Sequence, residues 1–461
     1  MDDIKVGRHG FRLRLPAKAS FVYAISGFVS RALGLLFTPV FTRLLSKSEY
    51  GVFSLFLGWL TVYSAVSTLE IGTGIIYGGF SRFKEERTEF MKSALFTLIS
   101  VFSALSLPVA FIIKRTSGLN AVFILLMAIT ALSDAVCSLY LTGERYAYRF
   151  SSVLLLNLTA AILTPLLALS LISKIPYYAR PVSTAVLSLV TAGMALLRWR
   201  PWQDGRVKWQ MVRFTLFTCL SLLPSFFASV LLSSADRLII GARLGAEAVA
   251  KYSVAHSLGL ALTFFTTGIF GAFKPWIMRR LDCGDVKCVW KICDKILKLG
   301  AAGTLLLTAL APEIFGILAP SEYADALAEV YVLAPAVMPM FLSGVYTSVL
   351  TFNSRGWLAS VFGVLSAALS VVLNLLLVGR YSFTVSAIIF LISHTFLAVF
   401  GAIGTRARFW GSVCTLVLAL GGVFVLYLLR SNLTLRLILL LPLTALGVFR
   451  ALALIEDLKE A

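Results

Sequence analysis

Two ionisable residues sit where ionisable residues are costly. Arg31 lies in the middle of the apolar run Ser20–Phe41, and Glu70 lies deep in the run Val52–Tyr77. Each run exceeds the roughly 20 residues that a helix needs to cross a bilayer core of about 30 Å. A charge at that depth faces a water-filled cavity or reaches for an interface, and it usually marks a functional path. Asp134, beside Ser133 in a later apolar run, has the same character. Glu70 and Asp134 are therefore candidates for binding a proton or a coupling cation. Arg145 and Arg355 stand in short polar connections, where a planar guanidinium suits phosphate oxygens. Lys274 precedes Pro275-Trp276, a pairing that also suits a membrane-interface anchor. His256 and His394, each inside an apolar run, titrate near neutral pH when unperturbed. Asp236-Arg237 closes another run, where adjacent opposite charges can neutralise each other.

These residues must be positioned by membrane helices. The 461 residues are 59% hydrophobic and only 14% charged, with a mean hydropathy of +0.90. A soluble chain has roughly 25% charged residues. Fourteen apolar spans fit between residues 20 and 454, separated by short polar connections. None has the alternation of an outer-membrane barrel strand. The expected fold is an all-α integral membrane protein.

Fourteen spans put both ends on one side, here termed the near side. Of the 41 Lys and Arg residues, 28 fall on the near side and 12 on the far side, with Arg31 inside a span. The positive-inside rule then places both termini in the cytoplasm. The net charge of +19 is spread over these membrane-flanking connections. There it sets topology and attracts anionic lipids, so no nucleic-acid partner is expected. The six cysteines have no metal-ligand spacing and no disulfide framework. No nucleotide-binding loop or catalytic cluster stands out, so neither a cofactor nor a metal is expected, and the chain is read as a non-enzyme.

An internal repeat divides the chain. Leu45-Ser46-Lys47-Ser48-Glu49-Tyr50-Gly51-Val52-Phe53-Ser54 parallels Leu244-Gly245-Ala246-Glu247-Ala248-Val249-Ala250-Lys251-Tyr252-Ser253, six spans later. Both lie in far-side elbows, so the halves are related about the membrane normal. The expected division is a basic arm (1–19), a six-helix lobe (20–200), a second six-helix lobe (201–405) and two additional helices (406–461).

The elbow Arg43-Leu44-Leu45-Ser46-Lys47-Ser48-Glu49-Tyr50-Gly51 resembles the R-x-L-S-x-x-E-Y-G elbow of the polysaccharide transporter family. That family belongs to the multidrug/oligosaccharidyl-lipid/polysaccharide exporter superfamily. Leu244–Ser253 is similar to the family's second-lobe elbow. The resemblance implies two lobes around a central cavity, alternating access, and flipping of an undecaprenyl-diphosphate-linked oligosaccharide to the outer leaflet of the cell membrane. Ser30-Arg31-Ala32-Leu33-Gly34 is similar to the span-one S-R-x-L-G of lipid II flippases, which carries Arg31 over as a cavity arginine. Phe37-Thr38 stand where those flippases have an Arg-Asp pair, which turns the expectation towards oligosaccharide substrates. On this reading Arg31, helped by Arg145, Lys274 or Arg355, receives the diphosphate. Membrane lipids and glycan polymerase machinery are the expected partners, with an ion gradient as the candidate driving force. The rivals are a cation-coupled multidrug exporter of the same superfamily and an integral-membrane glycan-assembly enzyme or scaffold.

Overall fold

A computed structural model describes residue 29 and residues 32–460, apart from 75–77, 148, 204 and 407–409. Among the described residues every regular element is helical. The first half holds α1 (Ala32–Leu44), α2 (Lys47–Thr68), α3 (Ile71–Gly74), α4 (Gly79–Arg82), α5 (Arg87–Ser117), α6 (Ala121–Tyr146), α7 (Phe150–Ile172) and α8 (Pro176–Trp199). The second holds α9 (Trp209–Leu244), α10 (Ala246–Gly259), α11 (Thr263–Asp282), α12 (Val286–Ala309), α13 (Ala311–Leu318), α14 (Leu327–Leu333), α15 (Val337–Phe352), α16 (Gly356–Leu377) and α17 (Thr384–Thr405). A 3-10 turn, Ser321–Ala326, leads into α14. The chain ends on α18 (Trp410–Leu428) and α19 (Leu433–Glu460).

Eleven helical runs among the described residues are long and apolar enough to cross a bilayer. The α12–α13 pair, bent by 63°, raises the number to twelve. The chain is thus a multi-pass, all-helical membrane protein, and the count of fourteen remains an expectation. The differences have local causes. The described part of the first span is the short helix α1. The eighth span divides at Leu260–Leu262 into α10, with 14 residues, and α11, whose C-terminal part carries Lys274, Arg279, Arg280 and Asp282. Outward-facing Leu107, Phe111, Leu418 and Leu441 are each more than 60% exposed. Such a surface would aggregate in water, but it matches hydrocarbon.

The first elbow is built by its sequence. Ser46 caps α2: its Oγ accepts from the Glu49 N–H, and the Glu49 carboxylate accepts from the Ser46 N–H at 2.8 Å. This reciprocal box satisfies two otherwise orphaned donors. Ser46→Ala is expected to cost about 1 kcal/mol. Thermal unfolding in detergent checks this, with a midpoint lowered by no more than about 2–4 °C. Arg180 of α8 ties the elbow down from below. Its guanidinium lies 4.0 Å from the ring centroids of both Phe41 of α1 and Phe53 of α2. Arg180 is thus a cation sandwiched between rings at that elbow.

The second span is not continuous. α2 stops at Thr68, and Leu69 and Glu70 adopt φ values of 47° and 50°, in the left-handed region. Two such non-glycine residues in succession cost of order 1–3 kcal/mol each. The chain resumes as α3, packed on α6 and α9. The Thr142 hydroxyl donates to the Gly72 carbonyl at 2.8 Å. A Cβ on Gly72 would lie 2.9 Å from the Ser138 Cβ, and one on Gly74 would lie 2.9 Å from the Cys219 Sγ. Irregular backbone at membrane depth persists where protein covers it or where it lines a cavity.

Candidate functional site

The sequence-derived candidates fall into two groups. Arg31 lies outside the described residues. Arg145 sits in the last turn of α6, Lys274 in α11, and Arg355 in the turn before α16, and all three are exposed. Helix alternation brings all three to the near end of the bundle, on separate elements. That end carries further cations held by aromatic rings. Arg87 lies 4.5 Å from the Tyr146 centroid, and Arg82 lies 5.3 Å from that of Phe214. Lys208 pairs with Glu86 at 2.6 Å and with Glu89. The Glu86 and Glu89 carboxylates hold the Lys208 ammonium above its ordinary pKa.

The acidic candidates lie in the first half, Glu70 half-buried and Asp134 exposed. Glu70 is half-buried at the break between α2 and α3, where its side chain bonds to that of Thr73. Asp134 lies mid-α6, accessible at its own position and facing Ser188 of α8. Around it runs a buried hydroxyl seam of Thr130, Ser133, Ser183, Ser188 and Thr191. The break that carries Glu70 rests on the stretch of α6 just after Asp134, so the two acids belong to one packed unit. Phe37 packs into the core, and Thr38 is 5% exposed with its hydroxyl donating to the Gly34 carbonyl. Neither position offers a charge.

A second polar interior lies in the other half, and reading the sequence missed most of it. Asp236 does not end a span at the interface. α9 runs eight residues beyond it, and Asp236 is 3% exposed. It accepts from the Tyr252 hydroxyl at 2.6 Å and from the Arg237 N–H at 2.7 Å. His256 and His394 flank Phe390, with ring centroids 5.4 and 4.2 Å from it. Glu329 is fully buried in α14 and accepts from the Thr384 hydroxyl at 2.5 Å. Asn374 accepts from the Ser386 hydroxyl at 2.7 Å and donates to the Ser370 carbonyl at 2.8 Å. Asn374 was visible in the sequence as an amide inside an apolar run, the class of residue that marks intramembrane function. Among the described residues no group of three His, Cys, Asp or Glu side chains forms a metal-binding cluster.

The halves meet through α2, which packs on α9 and α10. At the far end the two elbows touch directly: a Cβ on Gly51 would fall 1.9 Å from the Ala246 carbonyl oxygen. The elbow motif is thus a structural device, with a cap at Ser46 and Glu49 and a bare Cα at Gly51. An apolar cavity of about 440 Å³ opens between α11, α12 and α19, lined by Leu262, Ile296, Leu306 and Val448 among others.

The family model described as polysaccharide biosynthesis protein matches residues 17–280, more than half of the chain. The chain belongs to the polysaccharide biosynthesis protein family. The elbow resemblance is thereby borne out. No curated protein matches the chain. Among solved structures, this family member is similar to a structure titled lipid II flippase MurJ in an inward closed conformation. That likeness has a TM-score of 0.71 at 12% identity, over 95% of this chain and 99% of that one. It is also similar to an inward-facing multidrug resistance MATE family transporter of the MOP superfamily, with a TM-score of 0.56 at 14% identity over 89% and 96%. A MOP superfamily transporter from Pyrococcus furiosus gives 0.59 at 15% identity, over 89% and 99%. At these identities the likeness establishes the fold of this polysaccharide biosynthesis protein, which is that of MurJ and MATE transporters.

Proposed function

We propose that this protein flips an undecaprenyl-diphosphate-linked oligosaccharide from the cytoplasmic to the outer leaflet of the cell membrane by alternating access. Both termini lie in the cytoplasm on this reading. The observation that carries it is a coincidence of family and fold: a polysaccharide biosynthesis family model on a chain of which 95% follows a structure titled a lipid II flippase. The physics agrees. A diphosphate sugar is too polar to enter hydrocarbon unaided. Cations at the near end, Arg145, Lys274 and Arg355, meet the anionic head group, and Arg31 receives the diphosphate within the membrane. The apolar cavity beside α19 suits a polyprenyl chain. The chain makes and breaks no covalent bond, so it needs no catalytic residue and no cofactor. Glycan polymerase machinery would take the product on the outer face.

Glu70 and Asp134 are the proposed coupling sites. Glu70→Gln and Asp134→Asn are expected to remove the dependence of flipping on an imposed ion gradient, measured in proteoliposomes. Unchanged dependence in both variants would remove these residues from the coupling. The second reading is a cation-coupled drug exporter. It is favoured by the MATE likenesses, whose TM-scores of 0.55–0.59 are lower than the 0.71 of the flippase. Gradient-driven dye export without glycan movement would select it.

A further inference from the structure

α13 is an eight-residue helix whose polar groups are satisfied by other elements. At its start, Arg436 of α19 forms a two-pronged pair with Glu313, at 2.8 and 2.6 Å. The same guanidinium, in a side chain only 4% exposed, donates at 2.7 Å to the Ala309 carbonyl at the end of α12. It therefore stitches the 63° bend between α12 and α13. At its other end α13 leaves orphan carbonyls, as every helix does. These are taken by the first half. Arg43 donates to the Ile317 carbonyl at 2.9 Å and to that of Gly316 at 3.4 Å. The buried Thr42 hydroxyl donates to the Leu318 carbonyl at 2.7 Å. Just beyond, Lys47 pairs with Glu322 at 3.1 Å.

One short helix is thus gripped at one end by the C-terminal helix pair and at the other by the first elbow. We propose that α13 is a strap through which the C-terminal helices control separation of the two halves at the far face. The geometry supplies both requirements of such a device. The Arg43 and Thr42 contacts cross between the halves, so they must break when the far face opens. The Arg436 contacts fix the angle at which α13 presents its carbonyls to them. Loosening Arg436 lets α13 swing on the bend at Leu310, and the carbonyls leave their donors.

The inference rests on the alternating-access reading, so its test reads the conformation itself and requires no substrate. Spin labels are placed at Lys174→Cys and Tyr381→Cys, exposed far-side positions in the two halves, in a background with the six native cysteines replaced. Distances are measured by pulsed electron resonance in nanodiscs. Arg43→Gln breaks the inter-half grip directly and is expected to raise the long-distance population. Arg436→Gln, 393 positions from Arg43 in the sequence but joined to it through α13, is expected to raise it in the same direction, by about fivefold or more. Glu313→Gln, which keeps a hydrogen-bonding side chain at a more exposed site, carries the test if Arg436→Gln does not fold. An unchanged distribution in the Arg436 or Glu313 variant, beside a shift in Arg43→Gln, overturns control by the C-terminal helices. An unchanged distribution in all three overturns the strap together with the idea that the halves part at this face.

Discussion

Gly51→Ala will hold the two elbows apart and lower glycan flipping by tenfold or more, with protein levels unchanged. The added Cβ would lie 1.9 Å from the Ala246 carbonyl oxygen and 2.5 Å from its carbon. These are backbone atoms at the start of α10, fixed by the chain on both sides, and they cannot rotate away. Overpacking of this kind costs about 1–3 kcal/mol and occasionally more. Here the cost falls on the arrangement in which the elbows touch. Each 1.4 kcal/mol shifts the balance between touching and parted elbows by about tenfold. Gly58→Ala is the comparison. Its Cβ would meet only the Leu238 side chain, with Cδ2 at 2.9 Å and Cγ at an ordinary 3.5 Å, and the Cδ2 is the free end of a flexible side chain. Flipping by Gly58→Ala should stay within about twofold of the parent, since such a side chain can yield. Equal flipping by the Gly51→Ala and parent proteins would show that the elbow contact does not limit the cycle.

Asp236→Ala will be the most destabilising single polar change in the second half. The carboxylate is 3% exposed and receives the Tyr252 hydroxyl, whose residue has no exposed surface. Its neighbour Arg237 is held by the same group and by the Ser233 carbonyl, at 2.9 Å. Removing the carboxylate strands the buried Tyr252 phenol and takes from Arg237, 21% exposed and still held by the Ser233 carbonyl, its nearby charge partner. Leaving a buried donor unpaired costs about 1–3 kcal/mol, and the lost charge partner adds to that. Tyr252→Phe leaves Asp236 its Arg237 N–H and should cost about 1–3 kcal/mol. Thermal unfolding in detergent ranks the two, with Asp236→Ala the lower. An Asp236→Ala midpoint within error of the parent would mean that water or another group replaces the carboxylate.

Much of this architecture was legible because membrane helices obey one strong rule, that of length and apolarity. The far-side elbow was legible too, because Ser46, Glu49 and Gly51 do local work that any cap or close approach demands. The interruptions were less so. Leu69 and Glu70 hold left-handed conformations without a glycine or proline to announce them; packing of α3 on α6 and α9 imposes the break. The α12–α13 bend did carry a signal, Pro312 in the first turn of α13, hidden inside an unbroken apolar run. The surroundings of Arg180 and Glu329 were not legible, because their partners, Phe41 and Phe53 for one and Thr384 for the other, are distant in sequence. The pairing of Glu313 with Arg436, 123 residues apart, was invisible on the same ground.

The central claim is tested by reconstituting the purified protein in liposomes with a labelled undecaprenyl-diphosphate oligosaccharide. Protection of the label from an impermeant reagent then reports movement between leaflets. The account predicts movement that depends on the protein and is lost in Arg31→Ala at equal reconstituted amounts. Retention of full movement in Arg31→Ala would remove the proposed diphosphate site. No movement of the glycan, with gradient-driven dye export from the same vesicles, would contradict the flippase reading itself.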